Sequence, residues 1–260
     1  MNISIFSKSD HNSPMHSIKS QKILDMMMED NTKVIGFEDL DELFFGSAYC
    51  EYNKQTKLLS LRDMNILIQP EIESIGVYLP HTDYFIEKYL EQNLQVSYTS
   101  VEDFFRDLFQ TILEDGESIL EHIMHDIQDA KRDHNTGKNP YNIMQICTTA
   151  LLNLDTLNLV NQKIRHLISL INRHIPQFKE HESDILDQMN NISNEITYAT
   201  TIAHTISQSL RSLYAMKEDQ KVQDVEVALT LVFVVELMLS TIKFLDIHFP
   251  FIEWFVSIVS

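Results

Sequence analysis

Cysteine, glycine and proline are all scarce in this 260-residue chain, and positive charge is outnumbered. There are two cysteines, five glycines and six prolines. Cys50 and Cys147 stand far apart, so no disulfide framework is available, and two isolated thiols suit a reducing compartment. The chain has no glycine-rich phosphate loop, no G-x-S-x-G elbow and no cysteine pair at zinc spacing, which argues against an enzyme. Lys and Arg number 20 against 38 Asp and Glu, a formal charge of −18. A body this acidic repels phosphate backbones, so no nucleic-acid partner is expected. The N-terminus, MNISIFSKSDHNSPMHS, lacks the apolar core of a signal peptide and reads as a polar, mobile arm.

What is present divides into two regimes. Residues 17–30 suit a short helix, and together with the arm they make a first segment, 1–32. Residues 33–98 read as a small α+β region. SAYCEYN (47–53) and KLLSLRD (57–63) flank a polar turn as a hairpin, and MNILIQP (64–70) and ESIGVYLP (73–80) follow as strands. TDYFIEKYLEQN (82–93) has helical spacing. From Ser100 onward the period is helical. Ser100, three residues before Asp103, forms a variant of the capping pattern, and one helix is expected over about 100–134. DHNTGKNP (133–140) turns the chain, and a second helix runs from about 141 to 174, before Pro176.

From Gln177 to Phe249 there is neither Gly nor Pro. Ile185, Met189, Ile192, Ile196, Ala199, Ala203, Ile206, Leu210 and Leu213 recur there at alternating four- and three-residue steps, a 3.5-residue period. That is a helix packed lengthwise on others, as in a coiled coil. A single helix of about 65 residues, roughly 100 Å at 1.5 Å per residue, is one reading, and two core helices with a break near MKEDQ (216–220) are the other. The hairpin and this stalk occupy 99–224. The fold class is therefore α+β: a small N-terminal α+β region, a helical hairpin, then a very long C-terminal helix continuing into an apolar tail.

Residues 225–246 have the length and composition of a transmembrane helix, with a buried helix of a large soluble bundle as the competing reading. Val227 to Leu245 carries only Glu236 and Lys243 as charges and extends about 28 Å as a helix, close to a hydrocarbon core of ~30 Å. Residues 247–260, broken by Pro250 and Glu253 and rich in Phe around Trp254, suit an interfacial segment or a truncated second crossing. Arg211, Lys217 and Lys221 precede the span and only Lys243 lies near its other end, so the positive-inside rule places the N-terminal body in the cytoplasm. A central acid in a span costs about 2.5–3.5 kcal/mol on insertion scales, which makes Glu236 a functional candidate. At 100° per residue Ser240 and Lys243 share its stripe, and such a stripe faces other helices or water. In EHIMHDIQD (121–129), Glu121 and His125, and likewise His122 and Asp126, are four apart, a spacing that can hold a divalent cation or simply form a solvated face.

This organisation resembles the CorA family of magnesium channels. SVEDFFRDLFQTILEDGESILEHIMHDIQDAKRD (100–133) is similar to the helix that follows the family's α+β domain. QDVEVALTLVFVVELMLSTIKF (223–244) resembles the start of its first span, with Leu229-Thr230 matching a common Leu-Thr pair. The resemblance implies an oligomeric, ion-conducting pore in a membrane, controlled by its acidic cytoplasmic domain. The pore-facing candidates are then Thr230, Glu236, Ser240 and Lys243. No organic cofactor is implied; Mg²⁺ or another divalent cation would be cargo or regulator, and a small-molecule regulator is open. The departures are specific. Ile247-His248-Phe249 stands where the family's Gly-Met-Asn signature belongs, and the second span is missing or short. A non-conducting single-span scaffold and a ligand-triggered membrane effector of CorA-like architecture are the alternatives.

Overall fold

The computed structural model describes residues 2–7, 18–28, 34–53, 55–69, 74–79 and 98–244 of the 260. The elements are β1 (Asn2–Ser7), α1 (Gln21–Met28), β2 (Ile35–Asp39), β3 (Glu42–Asn53), β4 (Leu58–Gln69), β5 (Ser74–Leu79), α2 (Val101–Asn135), α3 (Pro140–His174), a 3₁₀ turn (Pro176–Phe178) and α4 (Lys179–Phe244). The chain divides into two units, Met1–Ser207 and Gln208–Ser260. The expected α+β class holds, with one very long helix at its end.

In the first unit the strands form one five-stranded sheet in the order β1-β5-β4-β3-β2. β2 to β5 pair antiparallel, whereas β1 pairs parallel with β5, Ile3 opposite Ile75 and Ile5 opposite Val77. This corrects the reading of the N-terminus as a mobile arm, because residues 2–7 are an edge strand of the sheet. It also corrects the break expected at residue 64. KLLSLRD and MNILIQ are continuous in β4, whose twelve residues pair with β3 from Leu43↔Ile68 to Asn53↔Leu58. The helix expected at 82–93 lies outside the described residues.

Turn chemistry sets the register. Leu40 and Asp41 link β2 to β3 as a two-residue loop, both with positive φ (51° and 64°), the backbone that matches the twist of a tight hairpin. At the β3–β4 turn, Asn53 Oδ1 accepts the amides of Gln55 and Thr56 at 2.9 and 3.1 Å.

Both faces of the sheet are covered, which is why β3 is buried continuously from Phe44 to Cys50. On one face α1 lays Ile23 and Met27 over Phe44, Leu67 and Tyr78. Gly76 permits this, since a Cβ there would stand 2.8 Å from the Tyr78 ring. The start of α1 is held by the buried Glu42 carboxylate, which accepts the Lys19 and Ser20 amides at 3.1–3.2 Å and Gln69 Nε2 at 2.8 Å. Ser20 Oγ accepts the Ile23 amide, completing the cap.

On the other face lie the helices. Phe105 of α2 meets Phe45 of β3 edge-on at 5.6 Å, stacks with Phe109 at 6.0 Å, and touches Phe178 of the 3₁₀ turn at 6.1 Å. Asn153 of α3 ties that helix to β4: its Oδ1 accepts the Leu59 amide at 2.9 Å and its Nδ2 donates to the Lys57 carbonyl at 2.7 Å.

The helix limits follow from caps foreseeable in sequence. Ser100 caps α2, its Oγ accepting the Asp103 amide at 3.2 Å. Hydrogen bonds from Thr99 and Ser100 hold the Asp103 carboxyl below the usual carboxylate range. Gly137, at φ 71°, lets the chain leave α2, and Asn139 caps α3 with Pro140 in its first turn. In α4 the residues from Ile185 to Leu210 named for the 3.5-residue period are all buried, whereas Leu213 is 47% exposed.

Candidate functional site

Three places were open to test: the apolar part of α4, the His/acid cluster of α2, and any cavity in the first unit. In the second unit α4 is exposed from Arg211 to Thr241. Val232, Phe233, Val234 and Val235 are each 44–63% exposed, and four successive residues at 100° steps point to every side of the helix. A helix apolar all round belongs in an apolar surrounding, whether lipid or other helices. Glu236 and Ser240 lie within this stretch, also exposed, on one stripe. Lys243 falls on the same helix and stripe; its side chain lies outside the described residues. Thr230, whose hydroxyl donates to the Glu226 carbonyl at 2.8 Å, sits about 120° round the axis from Glu236. The helix therefore groups Glu236, Ser240 and Lys243 and sets Thr230 apart. Residues 247–260 lie outside the described residues.

Among the described helices, α3 has the length and apolar composition of a membrane span. Part of its apolar surface is packed, with Ile143, Cys147, Ala150, Leu154, Leu157 and Ile164 buried in the first unit, while Leu152 and Leu159 are exposed.

The α2 cluster does not converge. His122 Nδ1 lies 2.7 Å from the Ser118 carbonyl, one turn back on its own helix. His125 lies 3.7 Å from Asp129, and Glu121 is exposed. Asp126 is engaged by Lys57 Nζ at 2.9 and 3.0 Å, which raises the lysine's pKa, chiefly through that hydrogen bond. Among the described residues no three His, Cys, Asp or Glu side chains form a group able to hold a metal ion.

A site that the sequence did not suggest lies between β3, α2, α3 and α4. About 30 Å³ of space is lined mainly by apolar side chains, among them Leu108, Ile112, Leu157, Val160 and Ile192, with Tyr49, Cys50, Thr111, Asp115 and Asn161 as polar members. Asn161 is 4% exposed; its Nδ2 donates to the Met189 carbonyl at 3.1 Å and to Ser193 Oγ at 2.7 Å, while its Oδ1 has no partner. Burial pushes the Asp115 carboxyl up to about 6. Burial, with Asp115 beside it, pushes the Cys50 thiol up to about 12, so this cysteine is not a nucleophile. Cys50, Asp115 and Asn161 are far apart in sequence, and no local motif signals their meeting.

No protein-family model and no curated protein matches the sequence. Solved structures match the fold. The CorA magnesium transporter from Methanocaldococcus jannaschii superposes with a TM-score of 0.70 over 89% of this chain and 74% of that one, at 13% identity. The full-length CmaX protein gives 0.58 over 94% and 75%, at 10% identity. The ZntB cytoplasmic domain from Vibrio parahaemolyticus gives 0.52 over 76% and 80%, at 12% identity. The chain thus has a CorA-like fold.

Proposed function

We propose that this chain is a divergent CorA-like membrane protein that assembles from several copies and conducts cations. The apolar part of α4 crosses the bilayer and the first unit lies in the cytoplasm, gating the pore. The observation that carries this reading is α4 itself. A helix with apolar side chains on every side, in a chain whose fold is shared with a magnesium transporter, has found its surroundings in a bilayer. One copy would leave the Glu236–Ser240–Lys243 stripe in lipid, where a charged group is costly. Several copies place the stripe on an interior, where a ring of carboxylates attracts cations. With Ile247-His248-Phe249 in place of Gly-Met-Asn, selectivity for hydrated Mg²⁺ is not carried over from the resemblance.

The test is cation flux into liposomes at matched protein density for wild type, Glu236→Gln and Glu236→Leu. Both variants should insert and assemble, and both should conduct less, because a neutral ring loses its field. Equal flux in all three would reduce Glu236 to a packing contact. Intact oligomers with no flux from any of them would favour the scaffold, and flux that needs an added small ligand would favour the effector.

A further inference from the structure

The cavity of the first unit contains an imbalance that its own residues do not correct. Asn161 Oδ1 is a buried acceptor without a donor, and the Asp115 carboxylate that lines the same space is, when ionised, an acceptor only. Two acceptors therefore border one small, mainly apolar cavity: Asn161 is buried, while the half-buried Asp115 keeps access to solvent. No ion pair or hydrogen bond to the Asp115 side chain occurs among the described residues. Lining the same space, β3 offers Cys50 and Tyr49, α2 offers Thr111, whose hydroxyl donates to the Asp107 carbonyl at 2.8 Å, α3 offers Asn161 among apolar residues, and α4 offers Ile192. On its own helix the charged neighbours are Glu114 and Glu117, and Glu117 accepts Gln188 Nε2 from α4 at 3.1 Å. None is a cation.

We propose that this cavity is a proton-binding site, in which one proton taken up from solvent by the Asp115 carboxylate is shared with the Asn161 amide oxygen and ties α2 to α3. The carboxyl O–H formed is the donor the amide oxygen lacks, and it reaches Asn161 directly or through one water. The cavity has room for that water, since about 10–15 Å³ suffices for one. Asn161 is braced on α4 at Met189 and Ser193, so the proton links three helices. The site belongs to the first unit alone and stands whether or not the chain conducts.

The sign follows from the two states of the carboxyl. In the unfolded chain Asp115 titrates near its ordinary value of 3.8, and in the folded chain near 6. Between those values the folded protein holds the extra proton, so this site stabilises the fold at low pH and the effect is lost as pH rises through about 6.

Carbon NMR of the full-length protein in detergent, with Asp and Asn carboxyl and amide carbons labelled, reads the site. Asp115→Asn and Asn161→Asp spectra supply the assignments. Asp115 Cγ and Asn161 Cγ should titrate together with one midpoint near 6. An Asp115 midpoint near 4, or an Asn161 carbon that ignores the Asp115 titration, overturns the proposal. In parallel, Asp115→Asn carries its own donor at every pH. From pH 7.5 to 5 the wild type should therefore gain a few degrees in Tm relative to this variant. Parallel Tm profiles would also overturn it.

Discussion

The two parts of α4 obey different rules, although one unbroken helix carries both. Up to Ser207, in the first unit, Ile185, Met189, Ile192, Ile196 and Ile206 are buried at 3.5-residue spacing, and Asn190, Asn191, Glu195 and Tyr198 between them are exposed. That is a helix with one apolar seam, answered by the rest of its own chain. From Val225 the 3.5-residue period disappears and apolar side chains point to every side around one polar stripe, with nothing in the chain's described residues to cover them. Helix propensity is similar throughout, so it does not distinguish them. What differs is how apolar side chains are distributed around the helix axis.

The largest effect that would break this comparison is a change of phase. Removing Asp224–Ser260 should convert a protein that needs detergent into one recovered in the aqueous fraction, because it takes away the aperiodic apolar stretch and leaves the seam. Full-length chain recovered in buffer without detergent would show that both parts of α4 are made for water.

Next in size is the seam itself. Ile196→Asp puts a carboxylate where Ile196 is 5% exposed, and should cost about 3–5 kcal/mol. Leu213→Asp, seventeen residues further on but half exposed, should change the unfolding of the first unit by less than about 0.5 kcal/mol. Denaturant midpoints for the two variants measure the contrast. Equal losses would move the end of the seam past Leu210.

Most helix boundaries were legible because their signals are local. Ser100 with Asp103, Asn139-Pro140 and Ile175-Pro176 each fix an end through a side chain or a missing amide a few residues away. The sheet was legible only in part. NISIFS alternates polar and apolar, yet β1 pairs with β5 some seventy residues on, and a short polar strand without a hairpin partner reads as a tail. In sequence β4 suggests two strands because Asp63 and Asn65 interrupt its alternation, although both are buried in a sheet covered on two faces. The α2 cluster failed for the opposite reason. Helical spacing brought Glu121, His122, His125 and Asp126 onto neighbouring faces, but Lys57, from a turn almost seventy residues earlier, engages Asp126. The proton site needs β3, α2 and α3 at once, and only tertiary packing assembles it.

The smallest effects come from threonines that recur along the helix. Thr201 and Thr230 are both exposed, and both donate to the carbonyl four residues back, at 2.9 and 2.8 Å. In water that bond competes with solvent, and Thr has lower helix propensity than Ala, so Thr201→Ala should stabilise the first unit by a few tenths of a kcal/mol in denaturant titrations. In a bilayer the same bond satisfies a hydroxyl that has no other partner on a lipid-facing side. Thr230 stands about 120° from the Glu236 stripe, so Thr230→Ala should leave insertion and flux as they are, in contrast to Glu236→Gln. If Thr230→Ala lowers flux, the polar interior extends beyond one stripe and Thr230 regains the pore-facing role that the sequence resemblance suggested. If Thr201→Ala destabilises by 1 kcal/mol or more, its face of the seam is covered in the assembly, and the water-facing part of α4 ends earlier than the single chain indicates.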